Sequence, residues 1–282
     1  MIELFADAFG SQITQRALLG GLLAATITAL VGTWVVVRGL AFFGDAMAHG
    51  VLPGIALAAI WGFDLTLGAM ASAVVMVLGI NVVNRTTRLS DDTAIGLLFV
   101  GMLALGVVLI SREVTFAGDL TGFLFGDVLG VRSADLVLGL LALVVTIVGL
   151  VLGHRSFLAL AVNRDKAVVL GLRPDLAHVA MLSLLALSVV STFRVVGTLL
   201  VFGLLVAPPA TAVLLVRRMP VAMIVAVGFG WLAVVVGLTV SYHVQTAASA
   251  TVAGTAVAQF FVVLTAIEVR DVVARRRSSA LA

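Results

Sequence analysis

Residues 42–54 read FFGDAMAHGVLPG, with an aspartate and a histidine four positions apart and no other ionisable side chain between Arg38 and Asp64. What surrounds the pair decides its meaning. Apolar runs of about 20 residues recur from one end of the chain to the other, each long enough to cross a hydrocarbon core. Of the 282 residues, 62% are hydrophobic and 11% charged, whereas roughly a quarter of a soluble domain is charged. A membrane barrel would instead show roughly ten-residue segments of weak alternation. The chain reads as an all-α polytopic membrane protein.

Nine transmembrane helices are expected, at about 17–37, 44–61, 64–84, 92–111, 134–152, 175–193, 196–216, 219–241 and 250–268, within a range of eight to ten. The segment 115–131, TFAGDLTGFLFGDVLGV, is apolar but short and broken by glycine. It is expected as a short re-entrant or interfacial helix, because lipid does not tolerate unsatisfied backbone. The N-terminal stretch lacks a basic leader and a cleavage pattern, so no removable signal is expected. No soluble domain interrupts the pattern, which makes residues 1–282 a single transmembrane domain.

Charge sets the orientation. The formal charge of +3 comes from arginines at segment ends, with Lys166 the only lysine. That distribution fits membrane topology and not nucleic-acid binding. The tail VRDVVARRRSSALA is basic and is expected in the cytoplasm. Counting back puts Arg217, Arg218, the segment 153–174, Arg85, Arg88 and Arg38 on the same side, and the N-terminus outside. The segment 153–174, GHRSFLALAVNRDKAVVLGLRP, alternates polar and apolar residues and ends in Gly171 and Pro174. A short amphipathic helix with a stop signal is expected there.

Asp45 and His49 stand at i and i+4, on one helix face about 6 Å apart along the axis. Counted from Arg38, His49 lies on the order of 16 Å into the bilayer. A carboxylate at that depth is costly and usually faces a cavity. Carboxylate oxygen and imidazole nitrogen suit Zn²⁺, Mn²⁺ or Fe²⁺. On spacing alone, a metal pair and an Asp–His bond locking two helices stand level. Two ligands do not complete a metal shell, so a dimer partner, water or another helix must supply the rest.

Other polar residues carry less. Asn81, Asn84 and Gln259 read as bonds to neighbouring helices. His154 and His178 read as solvated interfacial residues, and His243 as a belt residue or an outer ion contact. Pro208–Pro209 should kink or end a helix. The chain has no cysteine, which rules out thiolate ligands and disulfides. It has no phosphate-binding glycine loop, no HExxH and no nucleophile elbow, so it is neither its own ATPase nor expected to be an enzyme.

The stretch VVRGLAFFGDAMAHGVLPGIALA resembles the signature hairpin of the ABC-3 permeases, the membrane subunits of bacterial zinc, manganese and iron ABC importers. GFLFGDVLGVRSADL and VVGTLLVFGLLVAPPATA resemble two further family segments, so the likeness runs through nearly the whole chain in order. It implies a homodimeric permease in the bacterial inner membrane, carried on cytoplasmic ABC ATPase subunits and fed by an extracytoplasmic metal-binding protein. Asp45 and His49 match positions on the metal path, with the transported Mn²⁺, Zn²⁺ or Fe²⁺ as cargo and no permanent cofactor. The stretch AVNRDKAVVLGL resembles the coupling loop, so 153–174 would seat on the ATPase through Asp165, Ala167 and Gly171. Small residues there would let a partner surface approach closely. Arg112, Glu113 and Arg132 are the expected landing charges for the binding protein. One departure stands out: the family's Asp-x-Pro-x-Gly pattern after Ser241–Tyr242 is replaced by Gln245-Thr246-Ala247-Ala248-Ser249. The rival reading is a self-sufficient secondary transporter or channel using Asp45 as its coupled carboxylate. A purely structural membrane subunit is the third.

Overall fold

The computed structural model describes residues 11–111 and 130–279. Among them no β-strand occurs, and nine helical spans are long and apolar enough to cross a membrane. In chain order they are α1 (Gln12–Val37), α2 (Ala41–Gly50) with α3 (Leu52–Trp61) as one broken span, α4 (Leu65–Thr86), α5 (Asp91–Ile110) and α6 (Ser133–Val162). A short helix α7 (Arg164–Val169) follows, then α8 (Pro174–Phe193), α9 (Val195–Leu215), α10 (Met219–Val244) and α11 (Ala248–Ser279).

Local chemistry sets the boundaries. Ser11, Asp64 and Ser90 cap α1, α4 and α5 by accepting from backbone N–H groups in the first turn, and Asp91 and Asp92 add favourable charge to the start of α5. After α1, Gly39 takes φ 68°; its N–H donates to Val36 and that of Leu40 to Val35. This glycine-closed turn satisfies the last carbonyls and sends the chain back into the bundle.

α1 is the central post. It packs against α6, α8, α9 and α10, and Trp34, Ile27 and Val35 on it are fully buried. Glycines allow the closest approaches. A Cβ on Gly32 would collide with the Leu205 carbonyl, which lies four residues before Pro209 and so lacks its usual helical donor. The second unit, α2 to α5, packs mainly on itself and joins the rest mainly through contacts of α2 and α4 with α8 and α9, and of α2 with α1.

α8 and α9 form a tight hairpin. Arg38, at one end of α1, lies 3.4 Å from His178 and 3.9 Å from the Met181 sulfur. Toward the other end, Gly20 faces Val195; back toward Arg38, Gly32 faces Leu205 and Pro209. The chain therefore climbs along α1 and returns down it. The reversal falls at Gly197, with φ 76° and ψ 163°, a conformation only glycine adopts without strain. The Pro208–Pro209 pair, expected to kink or end a helix, lies inside α9, which runs on to Leu215. α6 also outruns its expected end near residue 152 and stays helical to Val162. Its extension has an apolar face to bury: Phe157 and Leu160 are 1% and 8% exposed, and Phe157 meets Trp34 edge-on.

Gln259 behaves as a helix tie. With its amide turned to suit, it donates to the Phe229 carbonyl at 3.1 Å and accepts from Ala233 N–H at 3.2 Å, bridging α11 to α10.

Candidate metal path

α2 is ten residues long and puts Phe43, Gly44, Ala46, Met47 and Ala48 into the core. Its remaining stripe holds Phe42, Asp45 and His49, at i, i+3 and i+7, which span roughly 60° of arc. Asp45 and His49 stay 40% and 28% open at their side chains. Because α2 starts at Ala41, beyond the Gly39 turn, His49 rises about 12 Å from the helix start and sits shallower than a helix running from Arg38 would place it.

His49 Nε2 and Asp45 Oδ1 are 3.7 Å apart, too far for a hydrogen bond. Two donors at that separation can each sit about 2.1 Å from one ion, subtending about 120° there, which is within reach of tetrahedral coordination. Among the described residues, no group of three or more His, Cys, Asp or Glu side chains could hold an ion. One chain thus contributes an acid and an imidazole to this face.

The backbone after His49 is broken and then pinned. Pro53 has no N–H for the His49 carbonyl, and Val51 separates α2 from α3. Ser72 Oγ of α4 donates to the Gly50 carbonyl at 2.9 Å. Gly54 and Gly68 lie backbone to backbone where α3 crosses α4. The His49 ring faces Phe99 of α5, with centroids 6.0 Å apart. Sequence reasoning missed Ser72 and Phe99. Both sit in plain apolar runs, and nothing in their spacing singles them out.

The other candidates separate clearly. Asn84 Nδ2 donates to Asp91 Oδ1 at 2.8 Å, tying α4 to α5. His178, expected in solvent, is 8% exposed and lies against Arg38; His154 meets Trp34 edge-on at 5.5 Å. Both pack at the Arg38 end of α1, His154 because α6 continues past its expected end. His243 is exposed, with Nδ1 2.8 Å from the Thr239 carbonyl. Arg132 is exposed at the start of α6, while Arg112 and Glu113 lie outside the described residues. In place of the family's acid, Gln245 ends α10 with φ 55°. Ser241 Oγ donates to the Thr246 carbonyl at 2.7 Å, so that connection is held by hydroxyl and backbone groups.

In the 153–174 segment, Asp165 and Ala167 lie in α7, and Gly171 takes φ 72° just after it. The Gly171 N–H donates to Val168 and the Leu172 N–H to Ala167, a glycine-closed helix end. Ala167 is fully buried, so its small size serves the seating of α7 on its own bundle. Among the described side chains here, Val168, Val169 and Leu170 are 58%, 87% and 70% exposed.

Among the described residues, nine spans thus pack as one helical membrane bundle, and one broken span carries an open acid–imidazole stripe. The chain belongs to the ABC 3 transport family, whose profile matches residues 10–267. It is 33% identical over 270 residues to a probable iron transport system membrane protein of Haemophilus influenzae, covering 96% of this chain and 99% of that one. It is 34% identical over 248 residues to the manganese transport system membrane protein MntC of Listeria monocytogenes, covering 88% of each. Among solved structures, PsaBC from Streptococcus pneumoniae in complex with Fab superposes with a TM-score of 0.82 at 29% identity, over 93% of this chain and 95% of that one.

Proposed function

We propose that this chain is the permease subunit of an ATP-binding cassette importer that carries a divalent transition metal ion, Mn²⁺, Zn²⁺ or Fe²⁺, into the cytoplasm. The observation that carries the proposal is the Asp45–His49 pair: two hard-to-borderline donors 3.7 Å apart, open on the face of a span, in a chain of the ABC 3 transport family. The metal is cargo. Ionised Asp45 and neutral His49 offset part of its dehydration, and an incomplete shell lets it leave.

The end of the bundle bearing Arg38, Arg85, Arg88, Arg217 and Arg218 is cytoplasmic, as the positive-inside rule requires for a bacterial inner-membrane protein. The C-terminus of α11 emerges on that side. A second copy of the chain completes the ligand set across a homodimer axis. Energy enters from separate ATPase subunits seated on α7, where exposed Val168, Val169 and Leu170 offer an apolar knob at a membrane edge that water would otherwise cover. An extracytoplasmic metal-binding protein delivers the ion at the opposite end, near Arg132.

The test is reconstitution. The chain with its ATPase and binding protein should take up Mn²⁺ into vesicles only when ATP is present. Uptake by the chain alone, driven by an ion gradient, would make it a secondary transporter instead.

A further inference from the structure

Phe42 and Phe43 are neighbours with opposite fates: Phe43 is fully buried, while Phe42 remains 42% exposed. Phe42 shares its stripe with Asp45 and His49. A face that presents a carboxylate inside a membrane looks onto a polar cavity and not onto lipid, so Phe42 lines the same cavity. It lies one helical step, about 4.5 Å, nearer the basic end of the bundle than Asp45.

Phe99 closes the arrangement from α5. Its ring meets Phe42 edge-on, with centroids 5.8 Å apart at 79°, and meets His49 at 6.0 Å and 58°. One turn below, Gly96 of α5 also borders Phe42: a Cβ there would stand in ordinary contact with the ring, 3.9 Å away. Between Asp45 and the Gly39 turn, the stripe offers no oxygen or nitrogen side chain. An ion leaving Asp45 and His49 along this stripe meets the Phe42 ring with Phe99 beside it, and an apolar constriction of this kind excludes water and ions together.

We propose that Phe42, backed by Phe99, is this chain's half of the floor of the metal station, an apolar barrier between the Asp45–His49 pair and the basic end that the second copy completes and that parts to release the ion. The proposal rests on reading Asp45 and His49 as that station. By touching both Phe42 and His49, Phe99 also couples opening of the floor to the orientation of the imidazole.

The chain has no cysteine, so Asp45→Cys introduces one thiol whose reactivity reports access to the site. In inside-out vesicles holding the assembled complex, a membrane-impermeant methanethiosulfonate is added and labelling of this chain is followed by mass. Labelling should be slow with the floor intact, and at least about tenfold faster when Phe42→Ala and Phe99→Ala are added, as expected for removal of an apolar constriction. It should stay slow with Phe99→Trp, and labelling from the opposite face should not change. If the double variant does not assemble, Phe99→Val alone must accelerate labelling in the same direction. Equal rates with and without the rings would overturn the floor, as would acceleration from both faces, which marks loosened packing. Asp45→Ala in the uptake assay separates the two ideas: full uptake removes the station itself, whereas lost uptake with unchanged labelling removes only the floor.

Discussion

The Ser72 hydroxyl of α4 donates to the Gly50 carbonyl over 2.9 Å, fastening the α4 helix to the residue that follows His49. The bond falls where Pro53 and Val51 interrupt the helical ladder, so it steadies a weak point beside the proposed metal ligand. Bonds of this kind in membranes average about 0.6 kcal/mol. Ser72→Ala should therefore lower stability by about 0.6 kcal/mol, a small drop in melting temperature in detergent, and should lower metal uptake by loosening the backbone beside His49. Initial uptake rates and a thermal melt on the same preparation check it.

Packing at the α3–α4 crossing should be less forgiving. A Cβ on Gly54 would run into the Gly68 carbonyl and come within 2.7 Å of Ser72 Cβ, and one on Gly68 would meet Ala58 Cβ at 2.6 Å. Gly54→Ala or Gly68→Ala should cost about 1–3 kcal/mol, lowering the melting temperature. Gly101, with nothing within 4 Å of its Cβ position, is the control: Gly101→Ala should be neutral or stabilising by up to about 1 kcal/mol.

The hairpin corner makes a related prediction. Gly197 holds φ 76°, so Gly197→Ala should cost about 1–3 kcal/mol through backbone strain. Pro209→Ala, inside continuous α9, should cost less than that. The order of the two melting temperatures decides it.

The nine spans were legible in the sequence because long apolar runs with arginine at their ends leave few alternatives. Asp45 and His49 were legible because few ionisable side chains interrupt those runs. The reversal between α8 and α9 was legible too, as the gap between the expected spans 175–193 and 196–216. The uninterrupted run of α9 past Pro208–Pro209 was not: proline announces a missing donor, but whether a helix breaks there depends on what occupies the freed carbonyl. At Leu205 that neighbour is Gly32 of α1, distant in sequence. Continuation of α6 past Leu152 was hidden for a similar reason, since the apolar face of Phe157 and Leu160 has meaning only once Trp34 stands opposite. The aromatic floor needed α5 beside α2, a pairing that no local pattern specifies.

Coupling to the ATPase makes a surface prediction. Val169 is 87% exposed on α7, so Val169→Asp should leave folding intact while weakening association with the ATPase subunit by about tenfold or more, as for a central apolar contact. Co-purification with the subunit, alongside an unchanged melting temperature for the chain, measures this. Normal association would remove α7 as the seat.

Initial rates of metal uptake by the assembled complex, comparing Asp45→Ala and His49→Ala with the unaltered chain at limiting metal, test the central claim most directly. The account predicts that each change lowers the rate by about tenfold or more, since losing even a supporting contact at a metal site costs 10–100-fold, with assembly and ATP turnover retained. Unaltered uptake by both variants at normal expression would contradict it.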